Sequence, residues 1–419
     1  MTKRCVGLID PFVDAARIVK AFAEHNVECF SILTSVDSLE NLDNKPILKK
    51  MYHPELFTQQ FFLSKDEKAI EKITSEPQCI GLIVCCEIGI AKGDPLIHKL
   101  SPQHANPLKT TEARFNKIAY YDAAYANGLL KIKHAFVTQD NYKDAVKALD
   151  DKIFPVVLKP AKCAGSFGVA FCANKEDILA SISKTSVSTD LFGNVTDSFV
   201  IQKHYHGDEY VVDAVNFSGE HYIVAVYRKE TDDKSPLYQS ATWIDPETEE
   251  AKTIINYTVK LLEAINFDYG PAHMEIILTE DGPKIIDMNP RLSGSSGFYN
   301  DMCEYLTHKN QANLMVDLYL GNAIDYKIPY ENETGMFTRF IYLINLGKPA
   351  RINQATLDEI YTLPSFKKIK FLNKDIVPTA TDKLTIAGMV MLLHEDALQL
   401  ANDYARIVEL QNSTLFIPV

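Results

Sequence analysis

With 419 residues the chain is too long for one ordinary hydrophobic core, and a composition of 46% hydrophobic and 23% charged residues is that of a globular protein with two or three domains. A formal net charge of −12 argues against nucleic acid as the main partner, because phosphate backbones are met by basic surfaces, so any anionic substrate has to be met by local cations. The eight cysteines, at positions 5, 29, 79, 85, 86, 163, 172 and 303, include no CxxC pair, and no run approaches bilayer length. With no apolar leader at the N-terminus, the expectation is a cytoplasmic protein with reduced thiols and no membrane association.

Residues 4–10 (RCVGLID) read as a buried first strand, and Pro11 to Asn26 carry helical spacing through Ala15, Ile18, Val19 and Phe22. Glu28 to Leu33 is a second strand, and the apolar run Ile80 to Cys86 precedes Glu87. Strands alternating with helices imply a parallel sheet of doubly wound type. Such sheets place ligands at the carboxyl ends of their strands, where Glu87 lies; a solvated loop acid fits that placement equally well. No GxGxxG opens the first helix, so a dinucleotide site is not indicated.

A helix predicted from about Glu112 to Ala126 carries Lys117 and stops at Asn127-Gly128. Next, FPVVLKP (154–160) is an apolar strand bearing Lys159, followed by the turn Gly165-Ser166-Phe167-Gly168. Glycines let backbone N–H groups close on phosphate oxygens while a lysine supplies a point charge. No GK[ST] follows, so this is not a Walker A loop. Ile201 to Tyr205 leaves a strand for a loop whose backbone can read an adenine edge, and Glu209, seven residues after Gln202, is placed to accept from ribose hydroxyls. Alternation in Tyr210 to Val215 and Tyr222 to Tyr227, around Ser218-Gly219, gives antiparallel strands. His204 and His206 lack a third ligand at a metal spacing and read as polar loop residues. Thr231 to Glu250, which holds the only tryptophan, Trp243, reads as a polar cover.

The stretch Gly270 to Gly297 (GPAHMEIILTEDGPKIIDMNPRLSGSSG) reads as two strands around Glu280-Asp281-Gly282. A two-residue turn at Asp281-Gly282 would set Glu275 opposite Met288; a three-residue loop would set it opposite Asp287 on the same face. The second register is preferred because it gathers Glu275, Asp287 and Asn289, hard oxygen ligands suited to Mg²⁺ carrying a nucleotide's phosphates. Arg291 follows, its planar fork suited to a phosphoryl oxygen or a developing oxyanion. Residues 301–322 are predicted to be helical. The tail from Gly335 alternates strand-like runs (MFTRFIYLI, KKIKFL, IAGMVMLL) with turns, closes on a helix from about Asp396 to Gln411, and carries no evident chemistry.

The order of these parts, helix lysine, strand lysine with glycine turn, QKHYHGDEY, then HMEI and DMNPR, resembles the ATP-grasp superfamily, and within it the carboxylate-amine ligases of the L-amino acid ligase and dapdiamide synthase type. The resemblance covers nearly the whole chain and includes CEIGIAKGDPLIHKLSPQHANP (86–107). It implies an α/β and α+β architecture: a parallel-sheet pre-grasp domain (1–108), a small lobe with lysines and glycine-rich lid (109–197), a large lobe with the metal hairpin (198–328) and a mixed C-terminal subdomain (329–419). It also implies ATP as cosubstrate with one or two Mg²⁺, Mn²⁺ being a possible substitute. Lys117, Lys159 and Gly165, Ser166 and Gly168 would meet the phosphates. Gln202, Lys203, His204 and Tyr205 would form the adenine hinge, and Glu209 the ribose contact. Glu275, Asp287 and Asn289 would bind metal, with Lys159 and Arg291 catalytic. This pattern usually has Glu where Asp287 stands, and Glu in many relatives where Gln202 stands. His273, Arg228, Ser293, Gly294 and Glu87 are the candidates for binding small-molecule carboxylate and amine substrates, Lys229 is a further candidate anchor for substrate charge, and a homodimer is compatible with the chain.

Overall fold

The computed structural model describes residues 3–162, 167–186, 188, 195–231, 237–324 and 327–419. The apolar run at the start of the chain builds a parallel sheet whose strands lie in the order Gln60–Phe62, Val27–Leu33, Arg4–Ile9, Cys79–Val84. Its first helix is shorter than its periodicity suggests, Ala15–Glu24, because Asp10 and Asp14 adopt left-handed backbone and hold residues 10–14 as a loop. The buried Asp10 carboxylate fixes that loop by accepting from the Thr34 N–H at 3.0 Å and the Ser35 hydroxyl at 3.1 Å.

A second, antiparallel sheet orders His134–Thr138, Ser198–Lys203, Val156–Pro160 and Ala170–Cys172, with helices Tyr142–Lys147 and Lys175–Thr185 beside it. Its core is Val146, Val156, Leu158, Ile178, Ile182, Phe199 and Ile201, the inward positions of these elements. Lys117 is the first residue of the helix Lys117–Ala126, not one turn inside a longer helix: Glu112–Arg114 is a 3₁₀ turn, and the Asn116 side chain caps the helix by accepting from the Ile118 N–H.

The largest sheet has eight antiparallel strands, in the order Gly282–Asn289, Gly270–Thr279, Asp208–Phe217, Glu220–Thr231, Tyr238–Ile244, Phe337–Leu343, Gly388–His394, Phe366–Phe371. The polar segment read as a cover therefore supplies a central strand containing Trp243, and that strand joins the tail strands to the metal hairpin in one continuous ladder. Alternation divides the two faces of the sheet. Tyr210, Val212 and Ala214 pack on the helix Glu249–Ala264, while Val211 and Val215 share a core with Phe298, Met302, Leu314 and, beyond them, Leu8 and Phe22 of the first domain. The predicted helix over 301–322 is two helices, Phe298–Thr307 and Gln311–Leu320; His308 turns left-handed and Asn310 with Asn313 closes a capping box. Among the described residues no helix is long and apolar enough to cross a membrane.

Gly207 docks the loop after Lys203 onto the strand Gly270–Thr279. Its φ is +152°, and a Cβ there would lie 2.0 Å from the Leu278 carbonyl oxygen. Gly207→Ala should therefore cost at least about 2 kcal/mol of stability, measured as a fall in denaturant midpoint with unchanged slope.

Candidate active site

The metal hairpin reaches its register by a route that the sequence does not announce. Glu280 and Asp281 alone form the turn, since Thr279 pairs with Gly282 and Ile276 with Ile285. A bulge at Ile286 then shifts the ladder by one residue, so that Glu275 faces Asp287 and His273 faces Asn289. The pairing of the two acids is the preferred one, but a bulge, not a three-residue loop, produces it. The bulge also frees the Ile286 carbonyl, which accepts from Lys159 Nζ at 3.3 Å and from the Tyr121 hydroxyl at 3.2 Å.

Each acid is met by lysine. Lys117 Nζ lies 2.9 Å from Asp287, which also accepts from the Tyr120 hydroxyl at 3.1 Å. Lys229 Nζ bridges Glu209 at 2.7 Å and Glu275 at 2.9 Å, and Lys383, from the tail, stands 3.6 Å from Glu275. Burial pushes the Glu275 carboxyl up, but Lys229, Lys383 and His273 outweigh it and hold the group well below the ordinary carboxylate range. Burial likewise dominates at Lys159, pulling its ammonium down to about 8; Asp287 opposes this and Lys117 adds to it.

Arg291 is buried and held by three hydrogen bonds: Nε donates to Glu87 at 3.0 Å, Nη1 to the Leu292 carbonyl at 3.0 Å and Nη2 to Asn289 Oδ1 at 3.1 Å. Glu87, just after the strand Cys79–Val84, thereby ties the parallel domain to the hairpin, and its second carboxylate oxygen is buried without a hydrogen-bond partner among the described residues. Gly294 lies against the same guanidinium, where a Cβ would be 3.4 Å from Nη1.

The remaining candidates divide. His273 Nδ1 lies 2.9 Å from Asp213 and 3.1 Å from the Ser293 hydroxyl, and its Nε2 is 3.8 Å from Glu275. Ser293 turns away from a substrate role: its hydroxyl donates to Asp213 and its N–H to Gln311 Oε1 at 3.1 Å, within the core. Arg228 is exposed on the face of its strand opposite Lys229 and stays outside the cluster, as strand alternation requires. Gln202 Oε1 accepts from the buried Tyr121 hydroxyl at 3.0 Å. Lys203 N–H and His204 N–H are paired with the Lys133 and Pro155 carbonyls, and the Tyr205 hydroxyl accepts from Lys133 N–H at 2.8 Å. The His204 ring packs edge-on to His206 and Phe171. Gly168 adopts φ +66°, while Gly165 and Ser166 lie outside the described residues.

Among the described residues no group of three or more His, Cys, Asp or Glu is placed to hold a metal ion by itself. Glu275, Asp287 and Asn289 supply two carboxylates and an amide oxygen on one face of the hairpin, a donor set suited to Mg²⁺ when phosphates and water complete its octahedron. Lys383 was invisible to motif reading because it sits 96 residues beyond Asp287 in a tail of ordinary composition. Asp213 and Lys229 did carry a signal, a charged residue at an inward position of an otherwise apolar strand.

Comparison with known proteins bears on the family and the fold. Residues 152–298 match the family described as the ATP-grasp domain. Dapdiamide A synthase of Enterobacter agglomerans is 20% identical over 333 residues, 77% of each chain. The crystal structure of L-amino acid ligase from Bacillus licheniformis superposes with a TM-score of 0.69 at 14% identity, covering 98% of both chains. That of carboxyaminoimidazole ribonucleotide synthase from Aspergillus clavatus, complexed with ATP, superposes with a TM-score of 0.70 at 13% identity, again over 98% of both. The chain carries an ATP-grasp domain and has the ATP-grasp fold.

A nucleotide phosphate at Lys159 requires the protonated ammonium. Because burial sets that group at about 8, affinity for ATP should be constant below pH 7 and weaken as pH rises through 8. Titration calorimetry between pH 6.5 and 9.5 tests this, and Lys159→Arg, which keeps its charge throughout, should flatten the profile.

Proposed function

We propose that this ATP-grasp protein is an ATP-dependent, ADP-forming ligase that joins a carboxylate to an amine through an acyl phosphate, with an L-amino acid as one substrate. The observation that carries the reading is the paired Glu275 and Asp287, flanked by Lys117, Lys159 and the anchored Arg291. A carboxylate is a poor electrophile; phosphorylation gives it a leaving group that an amine can displace. Positioning and charge stabilisation are most of what such a phosphoryl transfer asks of a protein.

Mg²⁺ held by Glu275, Asp287 and Asn289 would neutralise phosphate charge during the transfer. Lys117 and Lys159 converge on Asp287 and the adjacent Ile286 carbonyl, and so border the place where the phosphates would lie. The loop that follows Lys203 and the Glu209 carboxylate serve the adenosine end. Arg291, rigid through three hydrogen bonds, is placed to meet the oxygen that gains charge when the amine attacks. The unpartnered Glu87 oxygen is an acceptor for an ammonium or amine N–H. His273, fixed through Nδ1, turns Nε2 toward Glu275.

A second reading, a ligase acting on a nucleotide-pathway intermediate or bicarbonate, draws on the likeness to carboxyaminoimidazole ribonucleotide synthase. The test is turnover of Mg²⁺-ATP with pooled amino acids, scoring ADP and AMP separately and examining products by mass spectrometry. ADP formed only with certain pools, together with a product mass equal to two components less water, supports the amino acid reading; AMP formation rejects the acyl phosphate. Turnover only with bicarbonate or an aminoimidazole ribonucleotide selects the second reading.

In an active enzyme, Arg291→Ala should cut kcat by at least about a hundredfold while changing the Kd for ATP less than threefold. Lys383→Ala should lower kcat/KM by roughly tenfold, because its ammonium faces the site from a loop held by Asp382 and Thr385.

A further inference from the structure

Cys5 and Cys79 are register partners on the adjacent parallel strands Arg4–Ile9 and Cys79–Val84, and the Cys79 thiol donates to the Gly81 carbonyl at 3.8 Å. Both are partly exposed, whereas Cys29, Cys85, Cys86, Cys172 and Cys303 are buried. Neighbouring strands lie about 4.8 Å apart, within the roughly 4.4–6.8 Å Cα separation that a disulfide bridges. The ladder slips by one residue between this pair and Gly7–Leu82, so the pair sits at an irregular end of the sheet, where the backbone has room to adjust. The pair lies at the amino ends of the strands, away from Glu87 and the cations around the hairpin.

We propose that Cys5 and Cys79 form a redox-active dithiol that closes to a disulfide by exchange with a low-molecular-weight disulfide such as oxidised glutathione. The neighbouring Cys5 thiol holds the Cys79 thiol below its ordinary range, while Cys79, with burial and nearby Glu28, holds Cys5 above it. Cys79 is therefore the attacking sulfur. Its thiolate attacks one sulfur of oxidised glutathione, the glutathione S–S bond breaks, and one glutathione leaves as a thiol. Cys5 then gives up its proton and attacks Cys79 Sγ, expelling the second glutathione. Two protein thiols are oxidised to one disulfide and one glutathione disulfide is reduced to two thiols.

This bond would join the first strand to the strand whose far end leads to Glu87, locking the edge strand of the parallel sheet to its inner neighbour. Its span across adjacent parallel strands is short for a relaxed bridge, which makes the bond readily reducible rather than a permanent staple.

The test incubates the folded, full-length Cys163→Ser variant with oxidised glutathione, alkylates the remaining thiols and maps peptides by mass spectrometry; the substitution removes the one cysteine outside the described residues. The expected result is a Cys5–Cys79 cross-linked peptide in most chains, reversed by reduced glutathione. Adding Cys5→Ser should trap a glutathione adduct at Cys79, and adding Cys79→Ser should leave Cys5 open to alkylation. Native protein in which both cysteines stay alkylatable overturns the proposal. So does a cross-link that forms only after unfolding in urea, or stable glutathione adducts on both thiols in place of the cross-link.

Discussion

Two carboxylates facing each other on a largely buried hairpin repel: at about 5 Å and an effective dielectric of about 20, the cost is on the order of 3 kcal/mol. Glu275 and Asp287 stand in that position, and much of the molecule's organisation follows from supplying cations to them. Lys117 comes from the helix that leads into the small lobe, Lys229 from the centre of the large sheet and Lys383 from the tail. Arg291, next along the hairpin, draws Glu87 from the parallel domain. Each part of the chain sends one charged group to the same place, so the buried charges that need partners also hold the parts in register.

The Ile286 bulge shows how a local irregularity serves this arrangement. A regular ladder continued from the Glu280-Asp281 turn would set Glu275 opposite Ile286 and turn Asp287 to the other face; the extra residue restores the pair of acids. It also leaves the Ile286 carbonyl turned toward Lys159, whose buried ammonium needs an acceptor. One inserted residue thus places a metal ligand and satisfies a lysine.

Legibility in the sequence followed distance along the chain. The parallel sheet, the small-lobe strand with Lys159 and the hairpin acids were readable because strand alternation and their neighbours in sequence carry the information. The turn behind the hairpin register was misread, since a two-residue turn followed by a bulge at Ile286 and a three-residue loop give the same pairing of Glu275 with Asp287. The continuous eight-stranded sheet was missed because Tyr238–Ile244, polar enough to pass for a cover, is held as a strand by ladders on both sides. Lys383 had no local signal at all; its role comes from a loop folded on Asp382 and Thr385 that brings the tail over Glu275. Arg228 was chosen for its charge, and its strand turns it outward.

The lysines also explain how the site could accept a highly anionic nucleotide without stranding charge. Lys229 holds Glu209 and Glu275 at once, linking the acid proposed for ribose to the acid proposed for metal. If a divalent cation took over Glu275 and Asp287, the ammonium groups that balance them would become available to the phosphates proposed to come with it. Cation and anion arriving together would exchange partners with these groups and leave no desolvated ion alone. On this view the acid–lysine contacts of the free protein and the phosphate–lysine contacts of the loaded one are two pairings of a single set of charges. Asp287 suits the arrangement because Lys117 reaches it directly from the first residue of its capped helix.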